Sequence, residues 1–180
     1  PTEADDYIEQ IELALRELPA LDPNTQYTLV MLMSRLHRLG HGERLDNSFW
    51  LERILPIEPE NKGTIRMLAY LLGELTRTVT LQFPDLLKQA VLLQPEVYTG
   101  LHYDSPYAWV LREMEKAGSL ANIIAQWLGS SEERLRIAAL EFYENTQTID
   151  ARSILAWSNC EKQIALSTII TKPLYEKTEL

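Results

Sequence analysis

The sequence predicts an all-α chain. Apolar residues recur at helical spacing in segment after segment, and Asp-Pro, Ser-Pro or Ser-x-x-Glu stands where helices would open, with Gly where they would close. No stretch holds the period-two alternation of a half-buried strand between hairpin turns. The spacing predicts about nine or ten helices, which form one domain over residues 1–172 with a tail at 173–180.

Ile8, Ile11, Leu15 and Leu18 make the apolar stripe of a first helix, and Leu29, Leu32, Met33 and Leu36 make that of a second. Between them Asp22 is placed to cap and Pro23 to occupy the first helical position, while Gly40 closes the second helix in the left-handed region. The two are expected to form an antiparallel hairpin. A short helix over Ser48 to Leu55 turns Trp50, Leu51, Ile54 and Leu55 inward and is stopped by Pro56 and Pro59. Ile65, Leu68, Ala69, Leu72 and Leu75 stripe the next helix. Pro84 opens another, which carries Leu86, Leu87, Ala90 and Val91 and gives way to a loop over 94–104.

Ser105-Pro106 opens a helix that Gly118 closes, and Ser119 is placed to cap a helix with Leu120, Ile123, Ile124, Trp127 and Leu128 inward, ended by Gly129. Ser130 and Glu133 have the spacing of a capping box, in which two side chains satisfy orphan N–H groups at a helix start, ahead of Leu135, Ala138, Ala139 and Phe142. A short helix from Thr148 to Trp157 and a second such box, Ser158 with Glu161, precede Ile164, Ala165 and Ile169 before Pro173.

The composition narrows the function. At 46% hydrophobic and 24% charged residues, a chain of 180 residues can bury a core of its own. Its 26 acidic against 17 basic side chains leave a formal charge of -9, which repels phosphate backbones and anionic headgroups and suits a basic protein or peptide. Neither nucleic acid nor membrane is an expected partner. Cys160 is the one cysteine, so no intramolecular disulfide forms, and with no His beside it the thiol reads as structural. The sequence shows no charged-then-apolar leader and no apolar run of about 18 residues, from which a soluble, cytoplasmic protein is expected.

Two units in the last third share a plan: a helix ending in Trp127 or Trp157, a tight connection, Ser-x-x-Glu, and a helix with Ile-Ala on its inner face. Arg66-Met67-Leu68-Ala69 and Arg136-Ile137-Ala138-Ala139 lie 70 residues apart, about two periods of roughly 35 to 45 residues. On Thr64-Ile65-Arg66 to Gly73-Glu74-Leu75, and on Ser130 to Phe142, the chain resembles the HEAT and armadillo-like helical repeats over about a third of its length. It departs from them in lacking regular prolines and aspartates at equivalent turns. The resemblance implies an α-α superhelix in which stacked hairpins complete one another's core, small Ala69 and Ala138 admit close approach, and the inner helices present a concave surface to proteins or peptides. An irregular helical bundle is the alternative.

Catalytic apparatus is not expected. No phosphate loop, nucleophile elbow, Cys-x-x-Cys or His-Glu-x-x-His occurs in the sequence. His37, His41 and Glu43 have a spacing a metal could use, but Gly40 and Gly42 interrupt the helix between them, and the histidines read as surface residues. Glu113 with Glu115, and Glu132 with Glu133, read as solvated helix faces rather than carboxylate pairs. An amine-catalytic role for Pro1 lacks an apolar wall to lower its pKa. No cofactor or metal is expected.

The segment from Glu96 to Trp109 differs from the rest. Tyr98, His102, Tyr103, Tyr107 and Trp109 gather on one loop and the helix after it, and aromatics with polar tips suit recognition, although they equally suit pinning the loop to the helices. These five are the candidate partner-binding residues. The terminal Thr178-Glu179-Leu180 has the form of a peptide held by PDZ domains, a pattern three residues also produce by chance. The expected function is a non-enzymatic helical-repeat interaction module, an adaptor, scaffold or regulatory subunit. The alternatives are a helical enzyme of lyase or glycosylase type with a dispersed pocket, and a structural subunit of an oligomer, whose state the sequence leaves open.

Overall fold

The computed structural model of the chain describes residues 3–94 and 106–141. Every regular element among them is helical: α1 (Glu3–Glu17), α2 (Pro23–Arg38), a 3-10 turn (Gly42–Arg44), α3 (Asn47–Ile54), α4 (Lys62–Thr78), α5 (Phe83–Leu93), α6 (Pro106–Lys116), α7 (Leu120–Leu128) and α8 (Glu133–Glu141). The short helix expected from Thr148 to Trp157, the Ser158/Glu161 unit with Cys160, and the tail 173–180 lie outside the described residues, as does Phe142.

Local chemistry sets the boundaries. The Asp22 carboxylate accepts the Asn24 and Thr25 N–H groups at 2.9 and 3.2 Å, and Pro23 takes the first helical position, where its missing N–H costs nothing. Gly40 closes α2 at φ 82°. Its N–H bonds the His37 carbonyl at 3.1 Å and that of His41 bonds Leu36 at 2.9 Å, which satisfies two carbonyls at the end of the helix. Gly118 repeats the device after α6 at φ 66°. There the Gly118 and Ser119 N–H groups bond Glu115 and Met114 at 3.0 and 3.1 Å.

Two predicted caps are drawn differently. The Ser119 hydroxyl donates back to the Met114 carbonyl at 3.3 Å, so it helps to close α6 and makes no side-chain bond to the start of α7. Helix α8 begins at Glu133, which leaves Ser130 outside it, with its Oγ accepting the Glu132 N–H at 3.1 Å. In both cases a bend between two helices claims the hydroxyl before the following helix can.

Packing follows the predicted stripes. Leu29, Val30, Met33 and Leu36 of α2, and Ile65, Leu68, Ala69, Leu72 and Leu75 of α4, are buried in one core with Trp50, Leu51 and Ile54 of α3. Each large aliphatic side chain so removed from water contributes about 1.5–3 kcal/mol before chain entropy is counted. Helix α4 packs against α2 on one side and α6 on the other, α3 packs on α5, and α8 joins α5 to α7.

The predicted α1–α2 hairpin is not the close pairing of this region, since α2 packs closely on α4 and α3 instead. Helix α1 is tied to the α3 corner: Glu12 accepts from Trp50 Nε1 at 2.8 Å, the Arg16 guanidinium stacks 4.8 Å from the Phe49 ring centre, and Asp5 pairs with Arg44 at 2.6 Å. Leu18, expected inward, is exposed past the helix end, because Pro19 disfavours helical conformation at the residue before it.

Two glutamines bind the irregular segment after α3. Gln26 Nε2 donates to the carbonyls of Ile54 and Pro56, both at 2.8 Å. Gln94 accepts the Ile57 N–H at 2.6 Å and donates to the Ile57 carbonyl at 3.0 Å. Backbone groups that no helix serves are thus satisfied inside the core.

Candidate functional site

The α3–α5 contact opens a cavity of about 390 Å³ lined by Leu45, Asp46, Asn47, Ser48, Gln82, Asp85, Leu86 and Gln89. Asp46 stands there because it caps α3, its Oδ1 accepting the Phe49 N–H at 3.1 Å. Asp85 follows Pro84 in the first turn of α5, where a carboxylate complements the positive end of the helix dipole. The Ser48 hydroxyl donates to Gln89 Oε1 at 3.0 Å and Gln89 Nε2 donates to the Ser48 carbonyl at 3.1 Å, which ties the start of α3 to the middle of α5. Two lining residues are exposed carboxylates and none is basic, which gives the lining a negative charge.

The aromatic set is only partly within the described residues. Tyr98, His102 and Tyr103 lie outside them, as does the side chain of Tyr107, whose backbone is in α6. Trp109 is half-buried on the α4–α6 seam. Its ring centre lies 5.4 Å from that of Tyr70 at a tilt of 54°, and its Cε3 and Cζ3 press on Gly73, where an added Cβ would come within 2.5 Å of both. This one member of the set pins α6 to α4.

His37 is not a surface residue. The residue is 2% exposed, with Nε2 2.7 Å from Asn47 Oδ1 and Nδ1 2.8 Å from Thr78 Oγ1, so both ring nitrogens are engaged inside the fold. Burial pushes its pKa below the usual 6.5, opposed by the Asn47 hydrogen bond and the Glu74 charge. The left-handed Gly40 carries His41 off the helix, away from any shared face with His37. Among the described residues no group of three His, Cys, Asp or Glu is arranged to hold a metal ion.

Glu113 also departs from its expected solvated face. It is 6% exposed on the buried side of α6 with Val110 and Met114, and Lys116 compensates it at 2.7 Å, while Glu115 stays in water. Glu74 is buried likewise on α4 and paired with Arg77 at 3.2 Å.

The cavity residues escape sequence reading because Asp46 and Asp85 each look like an ordinary helix-start acid, and only the packing of α3 on α5 brings them together. Among the described residues no helix is long and apolar enough to cross a membrane. Compared with known protein families, with curated proteins and with solved structures, the chain matches none.

Proposed function

We propose that this chain is a non-enzymatic helical interaction module that holds a protein or peptide partner through a basic side chain seated between α3 and α5. The observation that carries the reading is the cavity itself: two carboxylates and two glutamine amides line it, without a basic residue. The formal charge of -9 supports it, because long-range attraction speeds encounter with a basic partner. Each buried ionisable side chain discussed above is held in an internal pair or network, His37 by Asn47 and Thr78, Glu74 by Arg77 and Glu113 by Lys116.

The superhelical, HEAT-like arrangement belongs to the same proposal. It is supported by the packing of alternate helices, α2 on α4 on α6 in one row and α3 on α5 in another, as stacked hairpins pack. The aromatic set of Tyr98, His102, Tyr103 and Tyr107 forms a second contact surface in this reading.

A helical enzyme with a dispersed pocket is the rival, and the cavity volume favours it by falling in the ligand-site range of roughly 300–1,000 Å³. The lining nevertheless offers no His, Lys, Cys or Tyr to act as base or nucleophile near neutral pH.

The test is affinity capture from extract of the source organism with three baits: wild type, Asp85→Lys, and the double variant Tyr103→Ala/Tyr107→Ala. A stoichiometric protein lost from Asp85→Lys, whose affinity for wild type falls with added salt when purified, is the expected result. A partner bound equally by all three baits would remove both surfaces from the proposal.

A further inference from the structure

His37 sits where α2, the 3-10 turn, α3 and α4 meet. Gly42 lies so close against the imidazole that a Cβ there would overlap it, and Asn47 and Thr78 reach it from α3 and α4. The chemistry of these partners fixes where the protons are. Asn47 Nδ2 is 3.3 Å from the Gly42 carbonyl, which can only accept, so the Asn47 amide has one sensible orientation and presents Oδ1 to the ring. Nε2 therefore carries a proton, and in the neutral ring Nδ1 accepts one from the Thr78 hydroxyl.

That hydroxyl has a second acceptor, the Glu74 carbonyl at 3.0 Å. One hydrogen thus faces two acceptors. When a solvent proton binds Nδ1, the ring donates to Thr78 Oγ1 and the hydroxyl hydrogen turns to the Glu74 carbonyl, so no ring nitrogen loses its partner.

We infer that His37 and Thr78 form a proton-responsive joint, in which rotation of the Thr78 hydroxyl lets the buried imidazole take up a second proton in place, changing the joint's charge while its geometry holds. The surrounding charges are compatible with both states. From α4 come Glu74, whose charge favours the imidazolium, and its partner Arg77. The 3-10 turn brings exposed Glu43 and Arg44, the latter paired with Asp5, with half-buried His41 just before it. Helix α3 brings exposed Glu52 and half-buried Arg53, which donates to the Leu18 carbonyl, and α2 itself carries exposed Arg35 and Arg38. Asn47 also lines the α3–α5 cavity, so the new charge stands one hydrogen bond behind its wall. If a basic side chain occupies that cavity, a consequence that rests on the proposed function, its grip weakens as His37 protonates.

Nitrogen-15 NMR of the imidazole, on the full chain and without any partner, tests the joint itself. The neutral ring is expected as the Nε2–H tautomer, and acidification is expected to protonate both nitrogens while the Gly42, Asn47 and Thr78 amide signals stay in the folded spectrum, moving only as the new charge shifts them. Thr78→Val removes the hydroxyl at constant shape and should move the His37 midpoint to lower pH, whereas Thr78→Ser should leave it unchanged. An Nδ1–H tautomer, loss of native signals in step with His37 protonation, or wild-type titration in Thr78→Val would each overturn the inference. The tautomer is read on the unmodified chain and so decides even if a variant does not fold. Weakened binding of a captured partner at acid pH concerns only the cavity, and its absence with a normal NMR titration would count against the proposed function alone.

Discussion

Replacing Gly73 with Ala pits two opposed effects against each other in one helix. Alanine in a helix interior is favoured over glycine by about 0.5–1 kcal/mol, because the unfolded chain loses less freedom. At Gly73 the new Cβ would stand 2.5 Å from Trp109 Cε3 and Cζ3 and 3.2 Å from Cδ2. Carbon pairs prefer about 3.5–4.0 Å, so two contacts are short by roughly 1 Å. The indole has little room to withdraw, being stacked on Tyr70 and flanked along α6 by the buried Val110, Glu113 and Met114. Overpacking of this kind costs about 1–3 kcal/mol, which leaves Gly73→Ala less stable by about 0–2.5 kcal/mol after the helix gain. For a chain of this length each kcal/mol moves Tm by about 2–4 °C. Gly63→Ala, in the first turn of the same helix with nothing within 4 Å of the added Cβ, should instead gain a few tenths of a kcal/mol. Urea unfolding followed by circular dichroism on both variants gives the comparison, and adding Trp109→Leu to Gly73→Ala should recover the overpacking loss. Gly73→Ala more stable than wild type, or a double-mutant cycle without coupling, would refute the packing argument.

Two further outcomes follow from the buried polar groups. Gln94→Leu strips the Ile57 N–H and carbonyl of their partners, at roughly 1–3 kcal/mol for each of the two orphaned groups, and urea unfolding should show a loss of about 2–6 kcal/mol. His37 has a folded pKa below its unfolded 6.5, so below that pH the unfolded chain binds more protons. Stability is therefore complete above 6.5, declines as pH falls toward the depressed folded value, and levels off beneath it; unfolding free energies measured across this window should show the slope in wild type and not in His37→Gln.

The legible part of this protein was whatever a helix writes locally. The stripes of α2, α4 and α5, the Asp22-Pro23 start and the glycine stops at Gly40 and Gly118 each depend on residues within a turn or two of one another, and they stand where the spacing placed them. Polar side chains are not legible in this way where the residues that bury or bond them come from far along the chain. His37 looked like a surface residue because nothing near it in sequence announces Thr78, and Glu113 looked solvated because its burial follows from the packing of α6 on α4. Ser119 shows a finer limit: a serine between two helices has two possible backbone partners, and only the geometry of the bend decided for the Met114 carbonyl. The same distinction governs the candidate site. A helix-start aspartate is explained in full by its cap, so Asp46 carried no functional signal until α5 set Asp85 beside the same cavity. Trp109 points the other way. Its aromatic neighbourhood in sequence suggested recognition, but its contact with Gly73, a residue of the very segment that carries the repeat resemblance, gives it work in the α4–α6 seam. Substituting Trp109 would therefore test stability before it tested binding, which is why Asp85, exposed at the cavity, is the substitution that can separate a lost partner from a weakened fold.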